Sequence, residues 1–407
     1  MIFKECKLTA HHHHHRYHGG NRTNPLLIVL IVVLAAGLVG FLVYDHIQEE
    51  KRAAELRVIE QQEREERRAK EEARKAEEKR IAEERAQQRA QDSFYQMLAD
   101  GFDVNVLIVG DSIGAGHGAS DADHRWANLL ATNLKSKYGG EVKLTNVSMG
   151  GNTSYAGYVR TMALNDDINY DLVVLCYGQN DSKNNFSLYY ESIIRAIKLR
   201  YPKASIICIQ ESSQKDYTEK MQTIKIIADH YGLPVADTIA PFQANYDNLV
   251  KGSVHPNDDG QQVYYETVMS VIEPLVTARQ GYDPENVAVV NDQVTTFDTF
   301  QWFPVDQFKR EGNTFILNTQ THGSILGIDY NFTSGANSCK ILVDGVEYAA
   351  PEVTFNYDFS QRHIMIVNKW LEGETVNVQS EIKVVFGEDE AGKNQADGFK
   401  GLAISGQ

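Results

Sequence analysis

The chain has 407 residues, 42% of them hydrophobic, which is enough for two or three domains with buried cores. Its formal net charge of −15 argues against nucleic acid as a partner, because phosphate backbones are bound by basic surfaces. The four cysteines include no CxxC pair, so the sequence predicts neither a zinc site nor a disulfide framework.

The first element is an uninterrupted apolar run, LLIVLIVVLAAGLVGFLVY, at 26–44. A membrane-spanning helix needs about 20 apolar residues. A signal peptide usually has a shorter apolar region of about 7–15 residues and a small-residue cleavage site after it. We therefore predict a retained transmembrane helix at 26–44, with a secretory signal as the alternative.

The charges on either side of this run predict its orientation. Lysines and arginines precede it, and acidic residues follow it directly. By the positive-inside rule, residues 1–25 are predicted to be a cytoplasmic tail of a single-pass protein of the cell membrane, with the remainder extracytoplasmic. A histidine run, His11 to His15, lies in this tail. It could bind a metal weakly or be a cloning remnant, but we expect a disordered tail with no function in the chemistry.

The segment 45–98 is rich in Glu, Arg, Lys, Gln and Ala and contains neither Gly nor Pro. These residues are strong helix formers, and Glu–Arg pairs four residues apart add a few tenths of a kcal/mol each. Large apolar residues are too sparse for a sustained heptad seam. We predict a charged helical stalk, either a single solvated helix or a weak coiled coil that would make the protein a homodimer.

From residue 104 onwards, short apolar runs alternate with segments of helical periodicity. The runs are VNVLIVG, VKLTNVS, DLVVLCYG, ASIICIQES and LPVADT, and the helical segments are WANLLATNLKSKY, SLYYESIIRAIKLRY and EKMQTIKIIADHY. This alternation predicts an α/β domain with a parallel sheet over 100–279. In open sheets of this kind, ligands bind beyond the carboxyl ends of the strands.

The strand ends carry residues that are suited to acyl transfer. GDSIGAG places Ser112 in a strand-to-helix turn, where a serine can act as a nucleophile. NVSMGGNTS offers the backbone N–H of Gly151, YGQND the amide of Asn180, and GSVHPNDDG the imidazole of His255 as a base. Each segment alone is also an ordinary turn sequence, so the prediction depends on all four occurring together.

In this order, GDSI, GGNTS, GQND and VHPND resemble the four signature segments of the SGNH (GDSL-type) hydrolases. The resemblance implies a flavodoxin-like three-layer α/β/α fold and ester hydrolysis without a metal or other cofactor. The site residues that it implies are the nucleophile Ser112, the base His255, and an oxyanion hole formed by Ser112, Gly151 and Asn180.

Members of this family usually carry an aspartate three residues before the histidine, and here that position is Gly252. A serine–histidine dyad could suffice, with a backbone carbonyl orienting the imidazole. Alternatively, the acid comes from elsewhere, with Asp258 and Asp247 nearest in sequence and Glu211 at a strand end. A degenerate site that only binds is the third explanation, which the retention of all four signature segments disfavours.

After residue 279 the helical periodicity fades. The segments TFILNTQ, SILGIDYNF, CKILVDGVEY, RHIMIVNKWL and SEIKVVFGE are typical of strands, with a hairpin at VDGVEY. They predict a β-rich accessory domain over 280–407, a β-sandwich or jelly roll. Its aromatic residues suit a core or a domain interface better than a sugar-binding surface, although both roles stay open: Trp302, Phe303, Tyr330, Phe332 and Trp370.

These features together predict an anchored, outward-facing serine esterase that hydrolyses acyl esters, above all O-acetyl esters, on a cell-surface carbohydrate. An O-acyltransferase with the same serine and histidine would pass the acyl group to a sugar instead of water. A non-catalytic glycan-binding or scaffold protein of the envelope would bind without hydrolysis. Labelling of Ser112 by a fluorophosphonate would separate this last alternative from the two enzymes.

Overall fold

The computed structural model describes residues 24–164, 167–285, 287–292, 300–356, 359–367, 369–389 and 392–406. The chain divides into two compact units, Met1–Arg85 and Ala86–Gln407. The predicted cytoplasmic tail, including the histidine run, lies almost wholly outside the described residues.

A long helix, α1, extends over Pro25–Arg89, and none of its residues is buried. Its N-terminal part is long and apolar enough to cross a membrane, a property that a signal sequence would share. Its C-terminal part is held by pairs of opposite charge one turn apart, such as Arg80 with Glu77 and with Glu84, each at 2.6 Å. Each exposed pair of this kind contributes little by itself, because solvent and salt screen the two charges.

The second unit begins with an α/β domain. Its elements are α2 (Phe94–Ala99), β1 (Val104–Gly110), α3 (Trp126–Tyr138), β2 (Val142–Asn146), α4 (Ser154–Ala163), β3 (Leu172–Cys176), α5 (Phe186–Arg200), β4 (Ser205–Gln210), α6 (Glu219–Tyr231), β5 (Val235–Asp237), α7 (Ile239–Gln243), α8 (Tyr246–Leu249), β6 (Val250–Lys251), β7 (His255–Pro256) and α9 (Asp258–Thr277).

Strands β1 to β5 form one parallel sheet in the order β2-β1-β3-β4-β5, which is the flavodoxin-like order. The alternation of side chains along β1 shows why both faces are covered. Leu107 and Val109 point into the core formed with α4, α5 and α6, whereas Val106 and Ile108 point into the core formed with α3 and α9. The three-layer α/β/α prediction is confirmed.

Helix α2 begins within the segment 45–98 that we predicted as stalk, yet it is part of the α/β domain. Phe94, Tyr95, Met97 and Leu98 are all buried in the core that α2 shares with α3 and α9. Ser93 caps the helix in a reciprocal capping box with Gln96. The charged helix itself ends at Arg89, so the stalk is shorter than predicted. The physical reason is that burying the apolar side chains of α2 in the domain core lowers the free energy more than exposing them on a longer solvated helix would.

The β-rich domain has eleven strands in the described part of the chain. They are β8 (Gln301–Pro304), β9 (Lys309–Glu311), β10 (Thr314–Asn318), β11 (Thr321–Phe332), β12 (Gly335–Val343), β13 (Val346–Ala349), β14 (Glu352–Phe355), β15 (Gln361–Ile366), β16 (Val376–Val378), β17 (Glu381–Phe386) and β18 (Phe399–Gly406).

These strands form two antiparallel sheets, as the prediction of a β-rich domain required. One has the order β13-β12-β17-β10-β9 with β14 beside β12, and the other has the order β15-β11-β18-β8 with β16 beside β11. The predicted hairpin is β12–β13, which turns at Asp344 and Gly345, both with positive φ.

The two domains share a hydrophobic core. Trp370 stacks on Tyr155 of α4 with the ring planes 14° apart, and the Tyr155 hydroxyl donates to the Leu326 carbonyl at 2.6 Å. Tyr330 and Phe332 are buried between the two sheets. Trp302 and Phe303 are half-buried against these cores. The aromatic residues of the β-rich domain therefore serve the core and the interface.

Candidate active site

Ser112 lies just beyond the carboxyl end of β1, in a tight turn. Asp111 accepts the N–H of Ile113 at 2.8 Å, and the Ser112 carbonyl accepts the N–H of His117 at 2.9 Å. Gly110 is required because a Cβ there would lie 2.7 Å from the Cys176 carbonyl oxygen of β3. The turn leaves the Ser112 side chain at the edge of the sheet, 6% exposed.

His255 lies next to Ser112, although 143 positions separate the two residues in the sequence. The Ser112 Oγ and the His255 Nε2 are 3.0 Å apart, a hydrogen-bonding distance at which the hydroxyl donates when Nδ1 carries the hydrogen. Burial lowers the pKa of His255, and the nearby His117 lowers it further. The imidazole is therefore neutral at neutral pH, which is the state that a general base requires.

Two backbone N–H groups beside this pair have no acceptor among the described residues, those of Ser112 and Gly151. Gly151 has φ +70°, a left-handed conformation that glycine adopts without strain. Free N–H groups next to a nucleophile are what an oxyanion hole requires.

Asn180 follows β3 and lies in the same cluster, but its amide is already engaged. Its Nδ2 donates to Asp111 at 3.0 Å and to the Asn152 carbonyl at 3.1 Å. The four segments that the sequence singled out thus meet at one edge of the sheet, and Asn180 links the turn after β1 to the turn after β2.

The β-rich domain also contacts this edge, which sequence reasoning missed. A Cβ on Gly151 would lie 2.5 Å from Nε2 of Gln361, so this side chain lies directly against the glycine. His363 Nε2 donates to the Gly151 carbonyl at 3.0 Å, while its Nδ1 accepts the N–H of Ile364 at 2.8 Å. Strand β15 therefore holds Gly151 through its carbonyl group, next to the N–H that has no acceptor.

A buried cluster of charges fixes β15 in this position. Asp329 on β11 accepts hydrogen bonds from Arg160 of α4 at 3.1 Å and from Arg362 of β15 at 2.6 Å. The Arg362 carbonyl in turn accepts from Asn152 at 3.0 Å. The Asp329 side chain is 3% exposed and that of Arg160 is 9% exposed, so the pair of Asp329 with Arg160 is screened little by solvent, whereas Arg362 is partly exposed.

None of the candidate acids reaches His255 in the part of the chain that the structure describes. Asp258, at the start of α9, accepts the N–H of Ser120 at 2.7 Å, and Asp247 is exposed on α8. Glu211 is buried and accepts the N–H of Gln179 at 2.7 Å. Gly252, at the position of the expected aspartate, has φ +72° and open space where a side chain would begin.

A layer of buried carboxyl groups lies beneath the cluster. Burial raises the pKa of Glu211 to about 7 and that of Asp181 to about 6. Burial also raises the pKa of Asp111, and the charge of Glu211 raises it further. These groups hold the turns of the site, since Asp181 accepts from Ser154 at 2.6 Å and Glu211 from the residue before Asn180.

We expect Glu211→Gln to remove part of the pH dependence of stability. The pKa of Glu211 in the folded chain lies above the ordinary value of 4.5, so the folded state keeps the proton longer than the unfolded state. This stabilisation is complete below about pH 4.5 and is lost as the pH rises through about 7. Between pH 5 and 8, the Tm of the wild type should therefore fall by roughly 2–8 °C more than that of the variant.

The matched control is Glu266→Gln, at an exposed position on α9. Thermal unfolding followed by circular dichroism gives the two slopes of Tm against pH. Equal slopes for Glu211→Gln and the wild type would contradict the assignment of this proton to Glu211.

Residues 108–263 match the model of the GDSL-like Lipase/Acylhydrolase family, a segment that contains Ser112, Gly151, Asn180 and His255. Esterase TesA of Pseudomonas aeruginosa is 28% identical over 182 residues, which are 42% of this chain and 89% of that protein.

The fold also resembles solved structures over both domains. A two-domain esterase active on acetylated mannans, co-crystallised with mannopentaose, has a TM-score of 0.61 at 16% identity, and the match covers 78% of this chain and 96% of that chain. A second structure of such an esterase gives a TM-score of 0.59 at 17% identity, covering 76% and 93%. Each match covers a larger part of this chain than either domain alone, so the two-domain architecture is common to both proteins.

Proposed function

Residues 108–263 form a domain of the GDSL-like lipase/acylhydrolase family, and on this premise we propose that the protein is a serine esterase that hydrolyses acetyl esters on a carbohydrate. The observation that carries the proposal is the 3.0 Å contact between Ser112 Oγ and His255 Nε2. The relatives named above are esterases, which supports the same reaction class.

In the proposed reaction, Ser112 Oγ attacks the acyl carbonyl carbon while its proton passes to His255 Nε2. The carbonyl oxygen becomes an oxyanion that accepts hydrogen bonds from the N–H groups of Ser112 and Gly151. The bond to the sugar oxygen then breaks, and the proton moves from Nε2 to that oxygen. Water, deprotonated by the same imidazole, releases the acid from the acyl-enzyme.

Asn180 is proposed as the third oxyanion donor. One of its amide hydrogens, now directed to the Asn152 carbonyl at 3.1 Å, would be shared with the developing oxyanion. A donor of this kind typically contributes about 2.7–4 kcal/mol to transition-state stabilisation. The hydrogen bond to Asp111 at 3.0 Å keeps the amide oriented meanwhile.

A short acyl group is favoured by the crowding around the nucleophile. Ser112 is 6% exposed, and Gln361 lies against Gly151, so little room is left beside the oxyanion hole. A polymeric alcohol is favoured because the β-rich domain extends the surface next to the site. The two-domain relative is active on acetylated mannans, and we propose an acetylated polysaccharide as the substrate class here.

The apolar part of α1 supports a further proposal about location. We infer that it is retained as a single-pass anchor, with the N-terminus cytoplasmic and the catalytic domain outside the cell membrane. Pairing of the charged part of α1 with that of a second copy would make a homodimer.

One experiment tests the activity, the substrate and the orientation together. Intact cells that express the full chain are given acetylated mannan, a polymer too large to enter them, and released acetate is measured. We expect acetate release by the wild type and none above background by Ser112→Ala.

Purified enzyme in detergent should cleave p-nitrophenyl acetate at least about tenfold faster than p-nitrophenyl octanoate, because of the crowding at Ser112.

Three outcomes would contradict parts of this account. Release by lysed but not intact cells would contradict the outward orientation. Preference for the octanoate ester would contradict the short acyl group. Transfer of the acetyl group to an added oligosaccharide in preference to water would identify an acyltransferase.

A further inference from the structure

The imidazole of His255 has one nitrogen without a partner. Its Nε2 is directed to Ser112 at 3.0 Å, and Nδ1 has no acceptor among the described residues. This nitrogen is not fully buried in the protein. In serine hydrolases of the triad type, an anion at this position fixes the tautomer and stabilises the imidazolium.

Open space lies between residue 252 and His255. Strands β6 and β7 pair Lys251 with His255, so residue 252 directly follows the residue opposite the histidine. A Cβ on Gly252 would meet no atom within 4 Å. The resulting cavity, which we name the Gly252 recess, is lined by Gly116, His117, Gly118, Ala119, Arg125, Lys251, Gly252 and His255.

The Gly252 recess is cationic in a strongly acidic protein. Arg125 and Lys251 line it, and none of the lining residues carries a carboxylate. Neither Arg125 nor Lys251 forms an ion pair within the described part of the chain. The aliphatic stem of Arg125 packs on Gly116, where a Cβ would lie 2.7 Å from Arg125 Cγ, so the stem of this exposed residue lies against the recess.

We propose that the Gly252 recess binds a small monovalent anion, a carboxylate or a halide, which takes the place of the missing catalytic acid. The inference rests on the proposed function. The anion accepts the Nδ1–H of His255 and stabilises the imidazolium that forms when Nε2 takes the proton of Ser112. The anion does not itself take a proton, and the proton on Nε2 still leaves with the sugar oxygen. The anion comes either from the solution or from the substrate, as a carboxylate on an acidic sugar.

The test uses the full chain in detergent with the neutral ester p-nitrophenyl acetate. Formate, acetate and chloride are varied separately, with the ionic strength held constant by sulfate. We expect kcat to rise about 10- to 100-fold along a saturable curve, with little change in KM, because the anion acts on His255 and not on ester binding. Arg125→Gln should shift the half-saturating anion concentration upward.

Two matched variants test the position of the anion. Gly252→Asp should give the high rate without added anion and no further activation, because a carboxylate then stands beside Nδ1. Gly252→Asn has the same size and the same tolerance for a positive φ, but no charge, and should stay dependent on added anion.

A second substrate distinguishes the source of the anion. If acetylated glucuronoxylan is hydrolysed at the full rate without added anion while acetylated mannan is not, the substrate supplies the carboxylate. A wild-type rate that is indifferent to every anion on both polymers would overturn the inference. The proposed function fails separately, if no ester is cleaved under any of these conditions.

Discussion

Ser112→Ala is expected to lower kcat by about 10⁴- to 10⁶-fold on any ester that the protein hydrolyses. The reason is that Oγ forms the bond to the acyl carbon, and no other hydroxyl in the described part of the chain lies against His255 Nε2. His255→Ala should cost a similar factor, because Oγ then has no base to accept its proton. The double variant should be no worse than either single one, since residues of one catalytic unit are not additive.

The rates are measured with p-nitrophenyl acetate, and the control is Ser270→Ala on α9. The Ser270 hydroxyl bonds only the carbonyl of Thr267, one turn away in its own helix, so its loss should leave kcat unchanged. A Ser112→Ala variant that retains a tenth of the wild-type rate would rule out Ser112 as the nucleophile.

The second large effect is expected at the charge cluster between the domains. Asp329→Asn leaves the buried Arg160, and the partly exposed Arg362 beside it, without a carboxylate, and an uncompensated buried charge such as that of Arg160 costs about 3–5 kcal/mol. The variant should therefore unfold at a markedly lower temperature. Well below that temperature, kcat should also fall, roughly 10- to 100-fold, because β15 positions Gly151 through the hydrogen bond of His363 to its carbonyl.

Asp397→Asn is the control in the same domain. Asp397 also pairs with an arginine, Arg310 at 2.7 Å, but its side chain is 75% exposed. An exposed pair contributes at most about 1 kcal/mol, so this variant should lose little stability and no activity. Equal losses of Tm in the two variants would contradict the structural role assigned to Asp329.

The parallel sheet and the positions of the site residues were accessible from the sequence. Both depend on local patterns, since an apolar run such as VNVLIVG identifies a strand and GDSI marks the turn at its end. In a parallel sheet, the carboxyl ends of neighbouring strands meet at one edge. From this rule alone, Ser112 and Asn180 are predicted to lie close together, without any knowledge of side-chain contacts.

The contribution of the β-rich domain was not accessible in this way. His363 lies 212 residues from Gly151, and no local pattern marks a histidine that donates to one carbonyl. Gln361 and Asp329 are likewise ordinary strand residues until two domains pack together. Strand β18 escaped prediction because FKGLAISG has a glycine and small residues where a bulky apolar run would mark a buried strand.

The acid missing at position 252 also shows that the sequence does not identify contacts between distant residues. The sequence locates the gap at Gly252 and names Asp258 and Asp247 as nearest replacements. Proximity in sequence proved a poor guide, because Asp258 caps the turn at Ser120 and Asp247 lies on the surface. The cationic lining of the Gly252 recess comes partly from residues 116–125, far from Gly252 in sequence, and only the folded chain brings them together.

The central claim is that Ser112 is a nucleophile activated by His255, and covalent labelling tests it most directly. The full chain in detergent is treated with a fluorophosphonate, whose phosphorus forms a bond to Oγ as fluoride leaves, and the labelled peptide is identified by mass spectrometry. We predict one label, on Ser112, that is absent from Ser112→Ala and much slower to form in His255→Ala. A wild-type protein that takes no label, or takes it on another residue, would contradict the claim.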